Sequence, residues 1–215
     1  MTLKERYKRT FEYFDKNMPV VKTELDYIDP FSLVVAVILS AQCTDKRVNM
    51  ITPGLLERFP DAFAMARAEP EDIYPYIKSC SYPNNKARHL SGMARMLCSE
   101  FGGKVPSDPK LLQMLPGVGR KTANVVASVA FNKPLIAVDT HVFRVSNRIG
   151  LTKNARTPLE VEIQLTKNIP EKLLGKAHHW LILHGRYICK ARTPLCNKCG
   201  LSFLCKYYLE MNKKK

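Results

Sequence analysis

Residues 31–41 read Phe-Ser-Leu-Val-Val-Ala-Val-Ile-Leu-Ser-Ala, a run of eleven with no charged side chain. A surface helix needs one apolar face; this run is apolar on every side, so it must be enclosed by other elements. Its Val and Ile content is compatible with a buried strand, but its length favours a helix. It is also too short to span a bilayer. The chain therefore has to fold around this segment, and 215 residues with 46% hydrophobic content supply one domain or two small ones with a real core. That hydrophobic content excludes a disordered chain.

The rest of the sequence reads as helix after helix, with no useful strand alternation and no internal repeat. Helices are expected over 3–17, which is mostly polar, and near 45–58, 61–67, 70–79 and 84–101. Ser107-Asp108-Pro109 is a good start for a short helix over Lys110–Leu115. Pro116-Gly117-Val118-Gly119 then breaks the chain, and another helix runs through Phe131. Its positions Val118, Thr122, Val125, Val126 and Val129 share an apolar face, with Lys121, Asn124 and Ser128 opposite. Asp139 opens the next helix, followed by helices near 157–168 and 175–188. Lys213-Lys214-Lys215 is read as a disordered end. The fold class is all-α.

Lys and Arg total 34 against 19 Asp and Glu, a net charge of +15. A globular chain this basic commonly meets a polyanion. Charge favours nucleic acid over a merely solubilising surface, yet does not separate DNA, RNA and anionic lipid. The N-terminal Met-Thr-Leu-Lys-Glu-Arg-Tyr-Lys-Arg has no apolar stretch of a signal peptide. The expected compartment is the cytoplasm, where thiols stay reduced, so the 7 cysteines should not form a disulfide framework.

Four of them crowd together as Cys189, Cys196, Cys199 and Cys205, spaced C-x6-C-x2-C-x5-C. Thiolates at this density can wrap one compact centre, with zinc and a [4Fe–4S] cluster as the candidates. Zinc sites more often pair two C-x-x-C knuckles, and only one short pair is present. Lys190 and Arg192 lie in the longest gap between ligands, which could project toward phosphates. Cys43, Cys80 and Cys98 are scattered and read as buried small side chains.

At the 116–119 turn, Gly117 and Gly119 allow tight turning and close approach of a ligand. The helix that follows offers its N-terminal N–H groups to an anion, and Arg120 and Lys121 add charge there. By position alone Lys121 is a phosphate contact. Asp139 is an N-cap, with Val138 and Phe143 placed for a hydrophobic staple.

Leu115-Pro-Gly-Val-Gly-Arg-Lys-Thr-Ala-Asn124 resembles the helix–hairpin–helix of the endonuclease III family. Eighteen residues beyond Lys121 comes Val138-Asp139-Thr140-His141-Val142, similar to the stretch carrying that family's catalytic aspartate. Ser40-Ala-Gln-Cys-Thr-Asp45 and His178-His-Trp-Leu-Ile-Leu-His-Gly-Arg-Tyr187 match in the same order, and so does the cysteine spacing. The resemblance covers essentially the whole chain. It implies two helical lobes: a barrel over 23–133 bearing the hairpin at about 108–131, and a second lobe of 1–22 with 134–215 holding a [4Fe–4S] cluster on loop 189–205.

The resemblance further implies a bifunctional DNA glycosylase and AP lyase that removes oxidised pyrimidines. Lys121 would be its nucleophile and Asp139 the carboxylate assisting it. The residues expected to contact DNA are Gln42 and Tyr82 by the resemblance, Gly117, Gly119 and Arg120 at the glycine turn, His141 beside Asp139, and Lys190 and Arg192 in the cysteine loop. In the wedge loop the chain has Ser81-Tyr82-Pro83 where the commonest family pattern has Gly-Leu-Tyr, which makes Tyr82 the wedge. The implied partner is damaged double-stranded DNA, met by a monomer in a bacterial-type cytoplasm at the nucleoid, with no membrane involved. The competing readings are an adenine-specific mismatch glycosylase, a non-catalytic DNA-binding module and a small electron carrier. Lys121 disfavours the first, which usually lacks a lysine there, as does the lack of room for that branch's C-terminal recognition domain. The retained lysine and aspartate disfavour the second, and the basic charge the third.

Overall fold

The computed structural model describes residues 1–213; residues 214 and 215, most of the tail expected to be disordered, lie outside the described residues. In chain order the α-helices are α1 (Leu3–Asn17), α2 (Pro30–Ser40), α3 (Asp45–Arg58), α4 (Ala62–Ala66), α5 (Pro70–Ile77) and α6 (Pro83–Phe101). They continue as α7 (Pro109–Leu112), α8 (Arg120–Phe131), α9 (Thr140–Ile149), α10 (Pro158–Asn168), α11 (Leu174–Tyr187) and α12 (Lys206–Asn212). No strand occurs among the described residues, and no helix among them is long and apolar enough to cross a membrane. The chain divides into two compact units, Thr23–Lys133 and Met1–Lys22 together with Pro134–Lys215.

In the unit of residues 23–133 the apolar run is α2, and every residue from Phe31 to Leu39 is buried. Ser32 is tolerated there because it completes a capping box: Asp29 Oδ1 accepts from Ser32 N at 2.7 Å, and Ser32 Oγ accepts from Asp29 N at 3.0 Å. Around α2 pack α3, α6 and α8. The short α7 ends at Leu112, three residues before the expected end, and the chain tightens through Met114 N–Leu111 O and Leu115 N–Leu112 O bonds. One expectation fails on α8. Asn124 was placed on its polar face, yet it is buried along with Ala123 and Val125–Ala127. Five consecutive buried residues wrap more than one full turn, because α8 is covered by α2 on one side and α7 on another.

The second unit has its own core. The mostly polar α1 buries Tyr7, Phe11 and Phe14, spaced three and four apart. The ring of Phe14 stacks on Trp180 with centroids 5.9 Å apart. Trp180 Nε1 donates to the Met18 carbonyl at 2.8 Å, satisfying the indole of a fully buried side chain. Helix α9 packs against α11 closely enough that a Cβ at Gly185 would stand 2.8 Å from His141 Cβ. Glycine at 185 is thus a packing requirement.

Candidate functional site

The hairpin joins α7 to α8 through a turn closed by Val118 N donating to Leu115 O at 3.0 Å. Gly117 has φ +79°, where L side chains are strained, and a Cβ there would lie 2.8 Å from His89 Cβ on α6. Gly119 differs: it is the N-cap of α8 in extended backbone, and nothing lies within 4 Å of where its Cβ would be. No neighbour inside the protein requires glycine there. Arg120 and Lys121 are the first two residues of α8, and both are exposed. The first N–H groups of a helix have no carbonyl within it to pair with, so this end combines donors, dipole and two cations beside open backbone.

Gln42 and Tyr82 belong to the same unit, and the fold brings their loops together. Both are exposed non-glycine residues held in the left-handed region, at φ 54° and 55°. Ser81 Oγ donates to the Gln42 carbonyl at 2.6 Å. The buried Lys86 reaches from α6 to the C-terminal end of α2, donating to Leu39 O at 2.8 Å and Ala41 O at 2.7 Å. Burial pushes its ammonium below the ordinary lysine value, against the pull of the Cys80 and Cys43 thiols. Cys43 Sγ donates to Cys80 Sγ at 3.6 Å. The expectation of scattered, buried cysteines therefore holds in part: Cys80 is buried, Cys43 and Cys98 are half-buried, and Cys43 and Cys80 are in contact.

In the other unit Asp139 caps α9, its Oδ1 accepting from Val142 N at 2.7 Å. Val138 and Phe143, the expected staple pair, both lie against that unit's core. His141, in the first turn of α9, has its Nδ1 3.2 Å from Arg144 Nη2. Arg144 then donates to Gly185 O at 2.9 Å and Cys189 O at 3.1 Å. One turn further on, Arg148 donates to Lys190 O at 2.7 Å and Ala191 O at 2.8 Å, lies 3.7 Å from Cys189 Sγ, and covers the Tyr207 ring. Helix α9 thus carries the Asp139 cap at one end and holds the start of the cysteine loop with two arginines. Sequence reading missed both arginines. Their spacing, five and nine residues after Asp139, is the only signal there was.

Cys189, Cys196, Cys199 and Cys205 carry free thiols and line one pocket of about 360 Å³, counting its part open to solvent. His184 contributes to its wall, with Nε2 3.6 Å from Cys199 Sγ, and burial lowers that imidazole to about 4. Burial likewise raises the thiols of Cys196, Cys199 and Cys205, that of Cys199 to about 11. Among the described residues no group of three His, Cys, Asp or Glu side chains is drawn tightly enough around one point to hold a single metal ion. Lys190 and Arg192, in the loop between the first two cysteines, are exposed.

Residues 35–171 match the family described as HhH-GPD superfamily base excision DNA repair protein. The hairpin and the all-helical fold thus define a helix–hairpin–helix protein of base excision repair. The chain is 50% identical over 203 residues to endonuclease III of Rickettsia conorii, covering 94% of this chain and 96% of that protein. It is 45% identical over 192 residues to endonuclease III of Escherichia coli K12, covering 89% and 90%. A solved trapped endonuclease III–DNA covalent intermediate superposes with a TM-score of 0.93 at 42% identity, covering 99% of this chain and all of that one. The chain belongs to the endonuclease III family.

Proposed function

We propose that Lys121 is the nucleophile, and Asp139 the assisting carboxylate, of a bifunctional DNA glycosylase and AP lyase. The activity goes with the family: its members excise oxidised pyrimidines in base excision repair and cut the strand at the resulting abasic site. The observation that carries the residue assignment is the hairpin. Lys121 is exposed in the first turn of α8, two residues after a glycine whose surface is open. An amine there can reach a sugar while the helix end and Arg120 hold flanking phosphate.

The chemistry follows from the amine. Neutral Lys121 Nζ attacks the C1′ of the damaged nucleotide, the C1′–N bond breaks, and the base leaves with a proton. The sugar ring opens to a Schiff base between lysine and deoxyribose. The imine acidifies the C2′ proton; its loss expels the 3′ phosphate oxygen and cuts the strand. Asp139, held by the Val142 N–H, supplies negative charge for the positive charge developing on the sugar and can accept the proton of the attacking group.

The target nucleotide has to leave the stack before C1′ can be reached. Gln42 and Tyr82 fill the space it vacates, Tyr82 by stacking its exposed ring. Gly117, Gly119 and Arg120 bind phosphate at the hairpin, and His141, Lys190 and Arg192 add contacts from the other unit. The partner is damaged double-stranded DNA, and the protein works as a monomer at the bacterial nucleoid.

Cys189, Cys196, Cys199 and Cys205 hold a [4Fe–4S] cluster. Four free thiols lining a single pocket fit such a group, and Arg148 beside Cys189 Sγ suits a ligand that becomes a thiolate. When bound, the cluster ties four points of the C-terminal segment together and so fixes the loop bearing Lys190 and Arg192.

Borohydride tests the assignment. Wild-type protein should be trapped on duplex DNA containing an oxidised pyrimidine, while Lys121→Gln should give no adduct; an adduct at the wild-type rate would move the nucleophile elsewhere. Asp139→Asn should bind the same DNA and turn over roughly 100-fold or more slowly. Iron analysis with a visible absorption band checks the cluster, and stoichiometric zinc in anaerobically purified protein would overturn it.

A further inference from the structure

Cys43 and Cys80 take no part in the chemistry above, yet they occupy notable positions. Cys43 directly follows Gln42, and Cys80 precedes Tyr82 by two residues. They lie 37 positions apart in sequence, and their sulfurs are 3.6 Å apart. Both thiols are free. The backbone around them is held in place by the Ser81–Gln42 bond and by the two bonds from Lys86. Two thiols already in contact need their sulfurs to close by only about 1.5 Å to reach bonding distance near 2.05 Å. Cys43 lies in the short turn between α2 and α3, and Cys80 in the turn between α5 and α6, so neither is fixed within a helix.

We propose that Cys43 and Cys80 are a modification site: they form a reversible disulfide that locks the Gln42 and Tyr82 loops to each other and weakens binding to abasic-site DNA. The disulfide stands on the geometry alone, whereas its effect on DNA rests on the role given above to Gln42 and Tyr82. Each of those residues lies within two positions of a cysteine and sits in the sparsely populated left-handed region. Entering a base stack requires each loop to adjust its own torsions, and a covalent bond between the loops removes that independence.

A disulfide oxidant such as glutathione disulfide completes the balance. The half-buried Cys43 is the reachable thiol, since Cys80 is only 5% exposed. The Cys43 thiolate attacks one sulfur of the oxidant, giving a mixed disulfide and one glutathione thiolate. The Cys80 thiolate then attacks Cys43 Sγ, forming the Cys43–Cys80 bond and releasing the second glutathione thiolate. The two protons lost by the protein thiols go to the two glutathiones, and the oxidant gains two electrons. Burial, with the hydrogen bond and charge of Cys43, raises the Cys80 thiol to about 11. Once Cys43 is in a mixed disulfide its two contributions are gone, while Lys86 and Arg47 still favour the Cys80 thiolate.

The test uses full-length protein with its cluster, equilibrated anaerobically with glutathione disulfide while the visible band is monitored. Alkylation, digestion and mass spectrometry should find a peptide pair cross-linked through Cys43 and Cys80, two hydrogens lighter than its reduced parts. Affinity for a duplex carrying a stable abasic-site analogue should fall about fivefold or more, the weight of a partly lost stacking contact, and return with dithiothreitol. Cys43→Ala should bind like reduced wild type and ignore the oxidant. Full alkylation of both cysteines after oxidation, or glutathione on Cys43 alone, would overturn the site. A cross-link with unchanged affinity would overturn the lock. Gln42→Ala and Tyr82→Ala in reduced protein separate the two ideas: wild-type binding by both would remove these loops from DNA and leave the disulfide intact.

Discussion

Gly117 and Gly119 stand two residues apart and are glycine for different reasons. At 117 the backbone is left-handed and His89 occupies the space of a side chain. Gly117→Ala should therefore cost about 2 kcal/mol or more, read as a lower urea midpoint at unchanged slope. At 119 the backbone is extended and the space is empty, and serine is a better N-cap than most residues. Gly119→Ser should keep or raise the melting temperature yet weaken DNA binding, because its side chain stands where a phosphate would approach. Equal affinity for Gly119→Ser and wild type would remove that phosphate from the hairpin. Both glycines were visible in the sequence as a turn; which one serves the fold and which leaves room for a ligand was not.

Among the elements, α2 is held at both ends by side chains that its own pattern does not announce. The Asp29–Ser32 box closes the start, and Lys86 satisfies carbonyls at the finish. Lys86→Met should leave those carbonyls short of a donor and destabilise the protein by about 2–3 kcal/mol. Amide exchange near Gln42 should quicken at the same time, since the turn after α2 loses its tether. Helix α9 has the same double function in the other unit. Arg148→Ala should speed bleaching of the visible band under an iron chelator, because the carbonyls of Lys190 and Ala191 lose their donor. Bleaching at the wild-type rate would show that the loop holds its shape without that arginine.

For the molecule as a whole the net charge of +15 sets the scale of association with DNA. Lys190→Ala and Arg192→Ala should each reduce the salt dependence of binding by about one phosphate contact while leaving sequence preference alone. Stability should depend on acidity through the half-buried His179, whose imidazole burial holds below its ordinary value of 6.5. The unfolded chain binds that proton more readily than the native one. The contribution of this group to stability is therefore fully present above pH 6.5 and is lost as pH falls through 6.5 toward the lowered native value. His179→Gln should flatten this decline in melting temperature between pH 7 and 5; an unchanged slope would assign it to other groups.

Helix positions, the Asp139 cap, the hairpin and the four-cysteine set were legible in the sequence because each is a pattern of near neighbours. Burial every three or four residues, a carboxylate three residues before an N–H, and thiols within one short segment need no knowledge of the rest of the chain. Asn124 shows where such reasoning stops: its helix is polar on that side by spacing, but α2 and α7 cover it on more than one face. Only the tertiary structure decided that Lys86 meets Leu39 across 47 positions, that Arg148 holds Ala191 across 43, and that Cys43 touches Cys80 across 37. Local propensity places a side chain on a helix, but its partner depends on how helices pack against one another, and no spacing along a single helix carries that information.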